Sequence, residues 1–201
     1  HEAPEVSRRR GGPPPVQERV VFVAGGSRGI GRACAEAFRD RGHPVAATWK
    51  TEPPPEVEGI LDLRCDVRSG DEVRAAVEQA EDTLGPVLIA VANAGIMRNA
   101  LVNRLTEEAW TEVLDTNLTG AFRVVSATLP AMISARWGRL ILISSAGAQT
   151  GYRGQANYLA SKTGLLGLAR TTSREWGARG ITTNVVAPGL VPTLMTSEVE
   201  R

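Results

Sequence analysis

Short apolar runs alternate with longer helical patterns along the chain from Arg19 onward. The runs are rich in β-branched residues and are apolar at consecutive positions, so both faces of each strand need cover. In chain order they read "RVVFVA", "PVAAT", "LDLRCDV", "PVLIAVANAG", "GRLILISS" and "ITTNVVAPG". Strands of this kind form parallel sheets, in which helices cross over between consecutive strands. The sequence therefore predicts one doubly wound α/β domain.

The predicted helices fill the intervals between these strands. Apolar periodicity indicates helices over 29–41, from just after Thr106, over 118–135 and over 157–176. Another helix is opened by Ser69-x-x-Glu72, the pattern of a capping box. Ligands of doubly wound sheets lie beyond the carboxyl ends of the strands. We therefore expect functional residues in the segments that follow each strand.

Composition and charge narrow the class of protein. The chain has 201 residues, 42% of them apolar, enough for one domain with its own core. Its 23 basic and 22 acidic side chains provide no overall field for nucleic acid or anionic lipid. The uninterrupted apolar runs are far shorter than the roughly 18 residues of a membrane span. Cys34 and Cys65 form no disulfide framework or metal pattern, so we expect a cytoplasmic location.

Residues 1–18 differ in composition from the rest. "HEAPEVSRRRGGPPPVQE" combines an arginine triplet, Gly-Gly and a run of three prolines with almost nothing to bury. We expect a disordered extension here, followed by the folded domain over 19–201. The arginine triplet could contact an acidic partner or simply be solvated.

A glycine-rich segment, "AGGSRGIG" over 24–31, joins the first strand to the first helix. Its glycines allow a tight turn and close approach to a pyrophosphate, and the helix amino terminus supplies free N–H groups. The spacing is G-x-x-x-G-x-G rather than the commoner G-x-G-x-x-G. On its own the motif also fits a glycine-rich turn that binds no ligand.

The segment "QANYLASKTG" places Tyr158 four positions before Lys162 on the predicted 157–176 helix. Residues i and i+4 share one helix face, with Cβ atoms roughly 5–6 Å apart, so both side chains can touch one small molecule. Taken alone, the pair also fits a half-buried tyrosine beside a snorkelling lysine.

Five motifs, in their order and spacing, resemble the short-chain dehydrogenase/reductase family: "GGSRGIG", "NAG", the "ISS" strand end, Y-x-x-x-K and "NVVAPG". The resemblance runs over about residues 20–196 and implies a Rossmann fold. "LTEEAW", "NLTGAFRV", "GQANYLASKTG" and "ITTNVVAPG" are most similar to the bacterial 3-oxoacyl-[acyl-carrier-protein] reductases, especially the actinobacterial branch. The resemblance also implies a substrate-covering lid and a last strand, which we expect to lie outside residues 1–201.

The cofactor implied is NADPH. The second strand ends at "TWK" without the carboxylate that would bind the ribose 2′-hydroxyl of NAD. Lys50 and Arg28 could instead clamp the 2′-phosphate of NADP, or be merely solvated. No metal site is expected.

Family resemblance and the strand-end argument together assign these residues to the cofactor: Gly25, Gly26, Ser27, Arg28, Gly29, Ile30, Gly31, Lys50, Asp66, Val67, Asn93, Ala94, Gly95, Tyr158, Lys162, Pro188, Gly189, Val191 and Thr193. The strand ends and turns would fit an empty Rossmann fold equally well. Ala24 replaces a usual family threonine that ties the first strand to the Asn-Ala-Gly turn, and we expect a looser link there.

Four catalytic residues are implied by the resemblance: Asn117, Ser145, Tyr158 and Lys162. Tyr158 would protonate the carbonyl oxygen, and Lys162 would lower the pKa of that phenol from about 10 while holding the nicotinamide ribose. Ser145 would hydrogen-bond the carbonyl oxygen, and Asn117 would hold a water that relays protons towards Lys162. A plain strand-end hydroxyl and a helix cap remain the alternatives for Ser145 and Asn117.

The implied function is NADPH-dependent reduction of 3-oxoacyl groups on acyl carrier protein in fatty acid biosynthesis. A homotetramer would form through the helices that contain Asn117 and Tyr158. Carrier proteins are acidic, so Arg136 and Arg179, which resemble the docking arginines of these reductases, are expected near the active-site mouth; solvated surface charge is the alternative. Other hypotheses are a reductase of polyketide, quinone or acyl-CoA carbonyls, and a catalytically inert NADP-binding structural or regulatory protein.

Overall fold

Parallel strands form one sheet in the order β3-β2-β1-β4-β5-β6 in the computed structural model, which describes residues 18–192. The strands are β1 Val20–Ala24, β2 Val45–Trp49, β3 Ile60–Arg64, β4 Val87–Ala92, β5 Gly138–Ile143 and β6 Ile181–Val186. The direction of winding reverses between β1 and β4, which opens a crevice at the carboxyl ends of these two strands. The predicted doubly wound α/β fold, a Rossmann fold, is confirmed.

Helices cover both faces of the sheet. They are α1 Gly29–Arg39, α2 Gly70–Leu84, α3 Glu107–Leu114, α4 Gly120–Ala135, α5 Gly147–Thr150 and α6 Ala156–Trp176. Short 3₁₀ turns cover Val102–Arg104 and Gly177–Arg179. The sequence predicted α1, α2 and α6 closely, whereas the single turn α5 had no apolar period to reveal it.

Consecutive residues of each central strand face opposite sides of the sheet. In β1, Val21 and Val23 pack on the α1 side, while Phe22 packs with Leu140 and Met132 on the other. Burying a side chain of this size contributes roughly 1.5–3 kcal/mol, so neither face of β1 tolerates a polar residue cheaply. This two-sided core holds the strand ends, and the turns that follow them, in fixed positions.

The helices predicted after Thr106 and over 118–135 are one continuous run. A π-helical turn, Asp115–Thr119, joins α3 to α4. A π turn adds a residue to the helical turn and leaves a backbone group without its α-helical partner, and such turns are frequent at functional sites. Asn117 lies within it.

The same run, Glu107–Ala135, is long and apolar enough to cross a membrane by length and composition alone. The sequence analysis considered only uninterrupted apolar runs, which are short here, and therefore did not detect the high mean hydropathy of this helical run. Its α4 portion packs on β4 and β5 and buries Val124, Val125 and Met132. This composition is also that of a helix in the core of a globular domain.

The predicted capping box at the start of α2 is half formed. The Ser69 hydroxyl accepts a hydrogen bond from the Glu72 N–H at 3.2 Å, as predicted. The Glu72 carboxylate does not return to Ser69; it accepts from the N–H of Asp66 at 2.9 Å. Glu72 therefore fixes the segment that follows β3.

The predicted extension over 1–18 lies, apart from Glu18, outside the described residues.

Candidate active site

The glycine-rich turn after β1 rests on the end of β2. The N–H of Gly25 donates to the Thr48 hydroxyl at 3.0 Å, and the N–H of Gly26 donates to the Thr48 carbonyl at 2.8 Å. Gly25 has a φ of +74°, a conformation that favours glycine. The sequence analysis considered the segment at Thr48 only because it lacks an acidic residue, and it did not predict the two hydrogen bonds to the glycine-rich turn.

The same turn is tied to the end of β4 through Asn93. Its amide nitrogen donates to the Gly25 carbonyl at 2.8 Å, and its backbone N–H donates to the Ala24 carbonyl at 3.2 Å. Ala24 lacks the hydroxyl that the resemblance led us to expect, but these two bonds still connect β1 to the turn containing Ala94. The cofactor-binding segments after β1 and β4 are thus joined in the structure.

Gly31→Ala should destabilise the protein by about 1–3 kcal/mol and weaken cofactor binding, because a Cβ there would lie 2.1 Å from the Gly25 carbonyl oxygen and 2.4 Å from the Asn93 amide nitrogen. Urea unfolding and calorimetric titration with the cofactor measure both effects. Gly167→Ala in α6 is the matched control, since nothing lies within 4 Å of its Cβ position. Alanine is the better helix former, so the control should be stabilised; equal behaviour of the two variants would contradict the steric argument.

The amino terminus of α1 is suited to a phosphate. Its N-cap residue, Arg28, makes no side-chain capping bond, and the first turn contains no acidic residue. The N–H groups of this turn, which follow the carboxyl end of β1, are thus available to an anion with favourable helix-dipole interaction. Arg28 is exposed beside them and Ser27 is half-buried. The residues present therefore fit the pyrophosphate of a dinucleotide.

Tyr158, Lys162 and Ser145 converge beyond the end of β5. Helix α6 places the Lys162 ammonium 5.8 Å from the centroid of the Tyr158 ring. Ser145 follows β5 and forms a side-chain hydrogen bond with Tyr158. The structure thus brings together three of the four predicted catalytic side chains.

Lys162 is buried, with 4% of its surface exposed. Its ammonium donates to the Ile143 carbonyl at 2.7 Å, and its own carbonyl accepts from the Ser144 hydroxyl at 2.9 Å. Burial lowers the pKa of Lys162 from 10.5 to about 8. Among the described residues, the Ile143 carbonyl is the one hydrogen-bond acceptor of the ammonium, which leaves further ammonium protons for a ligand.

The pKa of Tyr158 differs from the sequence-based expectation. Burial raises the pKa of the phenol, and the hydrogen bond with Ser145 opposes that rise without cancelling it. Lys162 is not among the groups that shift this pKa, and its ammonium donates to the Ile143 carbonyl. The phenol therefore stays protonated at neutral pH, which suits a proton donor.

Asn117 is buried in the π turn and holds the segment after β4. Its Oδ1 accepts from the Ile96 N–H at 2.8 Å, and its amide nitrogen donates to the Ile96 carbonyl and the Ser161 hydroxyl, both at 3.0 Å. A Cβ on Gly95 would lie 3.3 Å from Asn117 Oδ1 and 3.4 Å from Lys162 Nζ. Asn117 is therefore inside the helical run and beside Lys162, and it is not a helix cap.

Charged side chains meet beyond the ends of β2 and β3. Lys50 lies 3.1 Å from Asp66, and the Arg68 guanidinium reaches the same carboxylate at 2.8 Å. Burial alone would raise the pKa of Asp66, but the bonds from Arg68 and Lys50 hold it far below its usual range. Val67 is buried at the base of this group. Sequence reasoning missed Arg68, which no motif marks.

The segment after β6 lies against the segment after β5. The Ala146 N–H donates to the Pro188 carbonyl at 2.9 Å, and Gly189 and Val191 are exposed beyond it. Pro188 is therefore close to Ser145, where the resemblance predicted one side of the nicotinamide site. Thr193 lies outside the described residues.

The two arginines expected near the active-site mouth lie at the opposite edge of the sheet. Arg136 ends α4 just before β5, and Arg179 lies just before β6. A Cβ on Gly180 would be 2.6 Å from the Arg136 carbonyl oxygen, so the two segments touch. The length of β5 separates them from Ser145 by roughly 20 Å. The structure therefore places both arginines away from Ser145 of the same chain, because residues that precede parallel strands share the amino edge of the sheet.

The turn after β1, the joined β4 turn and the Ser145–Tyr158–Lys162 group define a nicotinamide-dependent oxidoreductase. The sequence matches the short chain dehydrogenase family over residues 19–201. The chain belongs to this family, as the motifs predicted.

Similar proteins include 3-oxoacyl-[acyl-carrier-protein] reductases. MabA of Mycobacterium avium is 44% identical over 190 residues, covering 94% of this chain and 74% of that protein. FabG of Escherichia coli K12 is 40% identical over 186 residues, 89% of this chain and 75% of that protein. An acetoacetyl-CoA reductase of Paracoccus denitrificans is 38% identical over 188 residues, 91% and 78% of the two chains.

Proposed function

We propose that the protein uses NADPH to reduce 3-oxoacyl groups on acyl carrier protein to 3-hydroxyacyl groups, in fatty acid biosynthesis. The convergence of Tyr158, Ser145 and Lys162 carries this proposal, since reduction of a ketone needs a positioned acid and a donor at the carbonyl oxygen. The similarity to reductases from Mycobacterium avium and Escherichia coli supports the substrate class.

Each catalytic side chain has a separate task in the proposed reaction. When bound, the nicotinamide supplies the hydride to the carbonyl carbon. Ser145 donates a hydrogen bond to the carbonyl oxygen, and Tyr158 delivers a proton to that oxygen as charge develops on it. Lys162 binds the nicotinamide ribose with its remaining protons. Asn117 keeps the Gly95–Ile96 backbone in place and holds the water that returns the proton.

The proposed cofactor is NADPH. The uncapped amino terminus of α1 accommodates the pyrophosphate, and Arg28 and Lys50 provide the positive charge for a 2′-phosphate. Asp66 and Val67 contact the adenine, and Asn93 with its neighbours lines the adenosine ribose. These assignments follow the family resemblance.

The experiment that tests the function follows the absorbance of the reduced nicotinamide with NADPH and a short 3-oxoacyl thioester. Turnover with formation of the 3-hydroxyacyl product is expected. Cofactor binding without turnover of any carbonyl substrate would instead support an inert structural or regulatory protein. Polyketide and quinone carbonyls, compared in the same assay, separate the remaining reductase hypotheses.

Arg136→Glu should raise the KM for the carrier-protein thioester by about tenfold and leave the KM for the CoA thioester nearly unchanged. Arg136 and Arg179 form an exposed basic pair that an acidic carrier can contact, while its flexible prosthetic arm reaches the distant chemistry. Steady-state kinetics with both thioesters measure the difference. Arg170→Glu, an exposed change on α6, is the matched control; equal effects on both thioesters would argue against docking at Arg136.

Acyl-CoA reduction is the second candidate function. The similarity to the acetoacetyl-CoA reductase of Paracoccus denitrificans favours it specifically. The same comparison of thioesters decides, since an acyl-CoA reductase would show the lower KM for the CoA ester.

The proposed assembly is a cytoplasmic homotetramer formed through α4 and α6. Phe122 of α4 and Trp110 of α3 expose 53% and 39% of their surface, although large apolar side chains are normally buried. A partner subunit packed on this helical surface would cover them. The same contact would place two copies of the Asn117 and Tyr158 helices side by side.

A further inference from the structure

One carboxylate, that of Asp66, is shared by two cationic side chains from different segments. Lys50 follows β2 and contacts Asp66 Oδ2 with its ammonium at 3.1 Å. Arg68 contacts both carboxylate oxygens, with Nη2 at 2.8 Å from Oδ2 and Nε at 3.2 Å from Oδ1. Two cationic side chains therefore contact one carboxylate.

The two cations are not held equally. Arg68 uses its planar guanidinium on both oxygens, and its backbone N–H also donates to Asp66 Oδ1 at 3.0 Å. Lys50 makes a single contact from a flexible stem, and 51% of its side chain is exposed. Lys50 is consequently the cation that can leave Asp66 for another anion.

The carboxylate itself is fixed in place. The N–H of Asp66 donates to the Glu72 carboxylate, and Ser69 caps the helix that carries Glu72. Hydrogen bonds from its cationic neighbours also keep Asp66 ionised at neutral pH. Without Arg68, this fixed negative charge would act on Lys50 alone and would repel a nearby phosphate.

Lysine is rare in this chain. Its two lysines are Lys50 and Lys162, and the rest of its 23 lysine and arginine side chains are arginines. A lysine at position 50 supplies a mobile point charge, whereas an arginine there could form the same two-oxygen pair with Asp66 that Arg68 forms. Arg68 is thus the fixed partner of Asp66, and Lys50 is the mobile one.

We propose that Arg68 is a positioning residue for cofactor selectivity: by occupying Asp66 it releases Lys50 to bind the 2′-phosphate of NADP. The inference rests on the proposed preference for NADP, and it assigns a role to a residue that need not touch the cofactor. Arg68 acts through Lys50, so its effect depends on Lys50 and on Asp66.

The experiment measures dissociation constants of NADP⁺ and NAD⁺ by calorimetric titration. Arg68→Gln should weaken NADP⁺ binding by about tenfold and change NAD⁺ binding by less than about twofold, because Asp66 then retains Lys50. Adding Asp66→Asn to Arg68→Gln should restore the ratio of the two constants, since no carboxylate remains to hold the lysine. In a Lys50→Gln background, Arg68→Gln should leave that ratio unchanged.

The possible failures are distinguishable. A wild-type protein that binds NADP⁺ no better than NAD⁺ would overturn the proposed cofactor and this inference with it. A wild-type preference for NADP⁺ with equal losses for both cofactors in Arg68→Gln would leave the cofactor standing and make Arg68 merely structural. An effect of Arg68→Gln that persists without Lys50 would show direct contact with the phosphate, which also overturns the inference.

Discussion

Tyr158→Phe should lower kcat for thioester reduction by about 10²- to 10⁴-fold, the contribution typical of a positioned general acid. The change removes only the hydroxyl that bonds to Ser145 and leaves the ring against α6. Cofactor affinity should change little, because Lys162 remains to hold the ribose. Steady-state kinetics with NADPH and a 3-oxoacyl thioester, together with calorimetric titration of the cofactor, measure the two effects separately.

The chain provides a matched control for this substitution. Tyr152 is its only other tyrosine, and 57% of its surface is exposed. Tyr152→Phe makes the same chemical change and should retain kcat within about a factor of three. If Tyr158→Phe kept wild-type kcat, or if both variants lost activity to the same extent, Tyr158 would not be the acid.

The fold was predictable because the continuous apolar sequence of each central strand indicates that both of its faces are buried. β1 is apolar at every position, which is required when Val21, Phe22 and Val23 alternate between two covered faces. The family resemblance led to the prediction that Ser145, Tyr158 and Lys162 converge, because its motifs place Ser145 at a strand end and Tyr158 one helical turn from Lys162. The structure brings these three side chains together.

Long-range contacts were not predictable in the same way. The Thr48 hydroxyl, at the end of β2, accepts a hydrogen bond from the Gly25 N–H in the turn after the neighbouring strand β1. Neither sequence segment indicates that bond. Arg68 was missed because its importance comes from sharing Asp66 with Lys50, a residue from another strand. The direction of the Tyr158 pKa depends on burial and on where the Lys162 ammonium points, neither of which spacing determines.

Lys162→Met should abolish most activity and yet stabilise the cofactor-free protein at neutral pH. Burial lowers the pKa of Lys162 from 10.5 to about 8, so below pH 8 the folded protein must hold a charge that the unfolded chain solvates better. That cost is on the order of 3 kcal/mol. The lost hydrogen bond to the Ile143 carbonyl offsets roughly 1 kcal/mol of the gain. Activity should fall at least about 10²-fold, because the nicotinamide ribose loses the cation that holds it in place.

The dependence on pH identifies the cause. Between pH 8 and 10.5 the unfolded chain binds a proton at Lys162 that the folded chain has released, so this group makes wild-type stability rise with pH through that window. The advantage of Lys162→Met over wild type should therefore shrink from pH 7 to pH 10 in urea unfolding experiments. Lys50→Met, at the other lysine of the chain, makes the same chemical change at a side chain that is half exposed and is the matched control. A constant difference between wild type and Lys162→Met across this range would show that burial does not shift the pKa of Lys162, and a fall in stability at neutral pH would show that its contacts outweigh the cost of its charge.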